Sequence, residues 1–202
     1  MNKNIFVVLM AGGAGTRFWP YSRNSHPKQY LDVLGTGKSL LQSTYDRFAP
    51  VCPPENILVV TNQELELLTQ TQLPHLHPSQ ILCEPVRKNT TPCIAYACYR
   101  IAKINPQATV IISPADHLIL NEKDFQQTIL KAVDFAANQD KLITLGITPT
   151  RPETGYGYIQ YIEAKSQLKK AKTFTEKPEL SLAKKFFDSG DFVWNSGLFI
   201  WG

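Results

Sequence analysis

The 202-residue chain contains no run of 18 apolar residues, so no α-helical membrane span is expected. Its one early apolar run, Ile5–Met10, is too short for the hydrophobic region of a signal peptide and leads straight into glycines and an arginine. Cysteine is sparse: Cys52, Cys83, Cys93 and Cys98 form no C-x-x-C pair. That spacing speaks against a zinc site or a thioredoxin-like centre, and free thiols buried in a reducing cytoplasm are the expectation. A strong charge of one sign is missing too. Lys and Arg number 21 against 17 Asp and Glu, a net charge of +4. Nucleic-acid binders carry a dense basic stripe; here Lys165, Lys169, Lys170 and Lys172 are the only local cluster, and they read as a solvated face. Neither nucleic acid nor membrane is an expected partner.

What remains is ordinary globular composition, 43% apolar and 19% charged, over a length that suits one domain. Short apolar runs mark strands at Ile5–Met10, Ile57–Thr61, Gln80–Cys83, Thr109–Ser113 and Leu142–Leu145. Such uninterrupted runs suit a sheet covered on both faces. Helical patterns separate them. Ser39 and Gln42 form a capping box ahead of Leu40, Leu41, Thr44, Tyr45 and Phe48. Thr61 and Glu64 offer the same for the segment through Thr69. Thr91 before Pro92 reads as an N-cap with proline at the first helical position, followed by the stripe Ile94, Ala97, Cys98, Ile101 and Ala102. Asn121 precedes a helix bearing Phe125, Ile129, Ala132, Val133 and Ala136. This βαβα order predicts an α/β fold with a mostly parallel sheet flanked by helices. After Gly146 the pattern changes to mixed strands near Tyr156–Ile162, Lys172–Thr175 and Val193–Ile200, with a helix near Leu180–Phe187. The chain stops at Trp201-Gly202, directly after an apolar strand, so a catalytic domain truncated at its C-terminus is expected.

Directly behind the first strand come Ala11, Gly12, Gly13, Ala14, Gly15, Thr16 and Arg17, and then Pro27-Lys28. Three glycines allow close backbone approach to a ligand, and free N–H groups in such a loop cradle anions. Arg17 and Lys28 add positive charge. The spacing matches neither the dinucleotide fingerprint nor the Walker A pattern. The loop reads instead as a different nucleoside triphosphate site, with a plain tight turn as the alternative.

In open α/β sheets ligands bind beyond the carboxyl ends of strands. Asp116 and His117 follow Thr109–Ser113, and an acid there can hold magnesium and, through it, phosphate oxygens. Glu84, Pro85, Arg87, Lys88 and Asn89 follow the third strand and lead into a helix whose N-terminus favours anions. Asn89 offers a donor and an acceptor to a base or sugar edge. Glu176 and Lys177 pair a sugar-binding carboxylate with a phosphate-binding ammonium; the alternative is a surface ion pair. Asn195, Ser196 and Gly197 place polar groups inside an apolar strand, where they need partners. Gly146 and the loop Thr154–Gly157, with Tyr156, frame the same pocket.

Taken in order, AGGAGTRFWPYSR, PKQY, EPVRKNTTP, PADH, GITPTRPETGYGYI, FTEKP and WNSGLFIW resemble the sugar-nucleotide pyrophosphorylases across nearly the whole chain. Phe18-Trp19 and the EP-x-x-K-N-T stretch favour the guanylyl/mannose branch. The resemblance implies a Rossmann-like (GT-A-like) nucleotidyltransferase domain over residues 1–202, with a mostly parallel mixed central sheet. It implies transfer of GMP from GTP to mannose 1-phosphate, assisted by Mg2+, in the cytoplasm. Carried over residue by residue, Ala11, Gly12, Gly13, Gly15, Thr16, Arg17 and Lys28 hold the triphosphate. Glu84, Pro85 and Asn89 handle the guanosine. Asp116 is a metal ligand. Gly146, Tyr156, Gly157, Glu176, Lys177, Asn195 and Gly197 line the mannose phosphate. Arg17, Lys28 and Asp116 form the catalytic set.

The family chain continues further, with a second metal-binding aspartate in that later part. An exposed edge where later strands pair invites association, so a homodimer is an expected state. Two other functions stay open: a nucleotide- or sugar-binding module without turnover, and a pyrophosphorylase for another pair such as UTP and glucose 1-phosphate.

Overall fold

The computed structural model describes residues 2–13, 18–86 and 88–202. The chain falls into two compact units. The first comprises Met1–Ile143 with Phe199–Gly202, the second Thr144–Leu198. Among the described residues no helix is long and apolar enough to cross a membrane.

The sheet of the first unit has β1 (Ile5–Met10) at its centre. On one side lies β2 (Ile57–Asn62), then β3 (Ile81–Glu84); on the other lies β4 (Thr109–Pro114). All three pairings are parallel. Phe199–Trp201, the end of β8 (Phe192–Trp201), adds an antiparallel neighbour to β4. Side chains alternate across a sheet with period two, and both faces are covered. Phe6, Val8, Leu58, Val60, Leu82, Val110 and Ile112 meet Cys93, Ala97 and Ile101 of α3 (Thr90–Ile104) in one cluster. On the other face Val7, Leu9, Val59 and Ile111 are fully buried. Against it stand α1 (Leu40–Phe48) and α4 (Glu122–Asn138), packed on β1 and β4. The Phe48 and Phe125 rings meet edge to face at 5.6 Å, and buried Arg47 pairs with Glu122 at 3.2 Å. Between β2 and β3 lies α2 (Glu66–Gln72).

The second unit is antiparallel. β6 (Tyr158–Ile162) lies between β7 (Lys170–Thr175) and the first part of β8. β5 (Ile143–Ile147) also pairs with β8. Tyr158, Phe192 and Trp194 pack with Ala183 of α5 (Leu180–Ser189). Among the described residues β3 and β7 each pair with a strand on one side only.

Local chemistry sets several boundaries. The Ser39–Gln42 capping box is present in both directions, and Asn121 accepts from the Asp124 N–H as expected. Two caps differ. Thr61 stays in β2, its hydroxyl committed to Tyr30 at 3.0 Å, and Asn62 takes over by accepting from Leu65 N. The helix read as starting after Thr91 begins at Thr90, with Asn89 in the cap position. Pro92 is thus the third helical residue, still within the turn whose N–H groups have no intrahelical acceptor. All four cysteines are free; Cys52 and Cys93 are buried, Cys83 and Cys98 half-buried. Burial pushes Cys52 and Cys93 up to about 12.

Candidate functional site

The carboxyl ends of β1, β2, β3 and β4 stop at one edge, and the chain beyond each carries polar groups. Ala11 N still completes the ladder to Val60 O at 2.8 Å. After it the backbone leaves the sheet through Gly12 and Gly13. A Cβ on Gly12 would stand 3.4 Å from Glu84 Oε2 and 3.9 Å from Thr61 Cα. The buried Glu84 carboxylate therefore lies beside the start of the glycine loop. Gly15, Thr16 and Arg17, and likewise Arg87, lie outside the described residues.

Lys28 opens a short 3-10 turn, Lys28–Tyr30, with buried Pro27 before it. Its ammonium forms an ion pair with the Asp116 carboxylate, both side chains about one quarter exposed (27% and 23%). The same ammonium sits 5.7 Å from the centre of the Phe18 ring. Asp116 follows Ala115, whose N–H reaches back to Met10 O at 3.2 Å. The two charges expected to handle phosphate and metal are thus brought together between the ends of β1 and β4. Burial pushes the neighbouring His117 down, against the pull of Asp116, so it is neutral at pH 7.

The turn itself is pinned. Tyr30 is buried, and its hydroxyl engages Thr61 and Thr69 at 3.0 and 2.9 Å. Its carbonyl accepts from Gln72 Nε2 at 2.8 Å. Burial raises the Tyr30 phenol above its ordinary value, which keeps it a neutral donor. Beyond β3, Pro85 and Asn89 are exposed. Asn89 adopts φ 68°, ψ −162° and makes no capping hydrogen bond. That conformation is essentially glycine's, and holding another residue there costs about 1–3 kcal/mol.

The second unit gathers its own cluster. Asn195 N donates to Gly157 O at 2.7 Å. A Cβ on Gly157 would lie 3.1 Å from Glu176 Oε2 and 3.6 Å from Asn195 Cβ. Gly157, Glu176 and Asn195 therefore converge. Asn195 Oδ1 accepts from Gly197 N at 2.9 Å, which orients its NH2 as a donor. Gly197 has φ 72°, and Ser196 ties this kink to Leu145 O at 2.7 Å. Lys177, at φ 36°, pairs with Glu176, and both are exposed. Tyr156 stands edge-on to Trp194 at 5.2 Å; among the described residues the buried Trp194 indole N–H has no hydrogen-bond partner. Gly146 has a packing explanation: a Cβ there would meet Val193 Cγ2 at 2.3 Å.

The family model for nucleotidyl transferases matches residues 6–201. The chain belongs to the nucleotidyl transferase family. Xanthan biosynthesis protein XanB of Xanthomonas campestris pv. campestris (strain B100) is 41% identical over 199 residues, 98% of this chain and 42% of that protein. Mannose-1-phosphate guanylyltransferase of Salmonella montevideo is 39% identical over 205 residues, 97% of this chain and 42% of that protein. A crystal structure described as mannose-1-phosphate geranyltransferase from Thermus thermophilus has a TM-score of 0.88 at 30% identity, covering 98% of this chain and 57% of that one. The chain spans about two fifths of the length of the curated relatives it matches.

For a nucleotidyl transferase, the sequence motifs single out the polar strand ends but pass over Gln29. It is 3% exposed and reaches both Ala11 O and Gly13 O through Nε2. The only signal was its place after Lys28 in PKQY.

Two outcomes test the local geometry. Asn89→Gly relieves the strained backbone and is expected to raise stability by about 1 kcal/mol in denaturant titration. Gly146→Ala forces a methyl into Val193 and is expected to cost about 1–3 kcal/mol. Combining it with Val193→Ala should restore part of that loss in a double-mutant cycle.

Proposed function

We propose that this chain is the nucleotidyl-transfer part of a mannose-1-phosphate guanylyltransferase, forming GDP-mannose and pyrophosphate from GTP and mannose 1-phosphate. Relatives at 36–40% identity carry the name mannose-1-phosphate guanylyltransferase, which supports that substrate pair. The observation that carries the reading is the Lys28–Asp116 ion pair placed beside the glycine loop at the strand ends.

In this reaction a phosphate oxygen of mannose 1-phosphate attacks the α-phosphorus of GTP in line. A P–O bond forms, the bond to the β-phosphate breaks, and pyrophosphate leaves with the electron pair. The sugar phosphate is already ionised at neutral pH, so no protein base is needed. Proximity supplies up to roughly 7–11 kcal/mol when the reactants are well aligned. Lys28 exchanges its carboxylate partner for phosphate oxygens and offsets the charge that builds during transfer. Arg17, Gly12 and Gly13 complete the triphosphate contacts, with Gly15 and Thr16 in the same loop.

Among the described residues no group of three or more His, Cys, Asp or Glu side chains could hold a metal ion. Mg2+ commonly binds through one or two carboxylates plus substrate phosphates. Asp116 fits that pattern, as a ligand for Mg2+ arriving with the nucleotide. Bound there, Mg2+ would supply charge neutralisation on the phosphates.

Base choice rests on Glu84. Guanine presents adjacent N1–H and N2–H2 donors, which match a carboxylate's two oxygens. In the second unit, Glu176 and the Asn195 NH2 suit sugar hydroxyls, and Lys177 suits the sugar's phosphate. Tyr156, Gly157 and Gly197 complete that surface. Four free thiols agree with a cytoplasmic location.

The decisive test is magnesium-dependent pyrophosphate release by this chain. GTP, ATP, UTP and CTP are each paired with mannose 1-phosphate and glucose 1-phosphate. Release with GTP and mannose 1-phosphate is expected; binding without release from any pair would leave a ligand-binding module, and release with another pair would reassign the substrates. In the same assay Lys28→Ala should lower kcat by about 10²–10³. Glu84→Gln should lower kcat/KM for GTP by about 10–100-fold and affect the other nucleotides less.

A further inference from the structure

We infer that Gln29 is a positioning residue that turns the backbone of the glycine loop toward phosphate. The inference rests on the reading of that loop as the triphosphate site. Gln29 is 3% exposed. Its Nε2 donates to Ala11 O at 2.5 Å and to Gly13 O at 2.9 Å. Only the NH2 end of a carboxamide can serve two carbonyls, so the contacts fix the amide's orientation.

The consequence follows from peptide geometry. In a planar trans peptide the C=O and the following N–H point in opposite directions. Drawing Ala11 C=O onto Gln29 therefore aims the Gly12 N–H away from it. An anion is attracted by N–H groups and repelled by carbonyl oxygens. The strand ladder cannot supply this orientation, because its hydrogen bonds to the first strand's end stop at Ala11 N–Val60 O. The carbonyl of buried Ala11 would otherwise need another donor, whereas that of exposed Gly13 is turned to Gln29 rather than to water.

The clamp is also indexed to the catalytic cation. Gln29 sits between Lys28, paired with Asp116, and Tyr30, fixed by Thr61, Thr69 and Gln72. One three-residue turn thus places the ammonium and sets the peptide orientation of the loop it serves.

The test uses Gln29→Met, which keeps the length but has no donor, and Gln29→Glu, which sets an acceptor against both carbonyls. Affinity for inorganic pyrophosphate and for GTP is measured by calorimetry well below each variant's thermal transition, where every molecule is folded. Both variants should bind each probe about 10–100-fold more weakly than the parent, with the Glu variant the weaker. Affinities within threefold of the parent would overturn the positioning role and leave the site assignment intact. A parent chain that binds neither probe would instead overturn the triphosphate reading itself. A measurement on the parent protein covers variants that do not fold. By NMR the Gln29 side-chain NH2 protons should exchange slowly and shift when pyrophosphate is added; fast exchange without a shift counts against the clamp.

Discussion

Parallel strands that end at one edge impose the constraint on which the rest of this molecule depends. β1 lies between β2 and β4 in parallel register, so the chain leaves all three at the same level. Past that level the ladder no longer satisfies backbone groups, and each must find another partner. Here the partner is a side chain from a distant segment: Gln29 for the carbonyls of residues 11 and 13. A loop that can present N–H groups to an anion is the outcome of that accounting.

The edge also concentrates costs that a merely stable protein would avoid. Lys28 and Asp116 are both mostly withdrawn from water and compensate each other; losing one would leave the other a partly desolvated charge without its partner. Asn89 holds a backbone conformation suited to glycine without using its side chain as a cap. The second unit has a cost of its own: among the described residues the buried Trp194 indole N–H has no partner, one residue from Asn195. Such costs gather where ligand chemistry is proposed, whereas the cores on either face of β1 are conventional apolar packing.

Much of this organisation is legible in the chain itself because local rules and tertiary packing agree. Ile5–Met10 reads as a strand and is one, since an apolar β-branched run suits a sheet covered on both faces. The Ser39–Gln42 box starts α1 where its spacing requires. The reading slips where a long-range partner competes with a local one. Thr61 had the right spacing to cap, but Tyr30, 31 residues away in sequence, claims its hydroxyl. Thr91 precedes proline, yet the helix starts earlier. Glycine is ambiguous for a different reason: it signals close approach without saying of what. At Gly12 the neighbour is a buried carboxylate, at Gly146 a valine side chain. A glutamine in a loop reads as solvated, and nothing in its neighbours reveals that it is buried.

The cysteines carry a consequence for the reactivity of the chain. A thiol's reactivity toward oxidants and electrophiles belongs to its thiolate. Burial pushes Cys52 and Cys93 up to about 12 and so holds both as thiols at pH 7. Sulfenic acid formation and mixed disulfides with glutathione are correspondingly slow at both. The two buried sulfurs are therefore poor nucleophiles, and burial that serves packing also protects them.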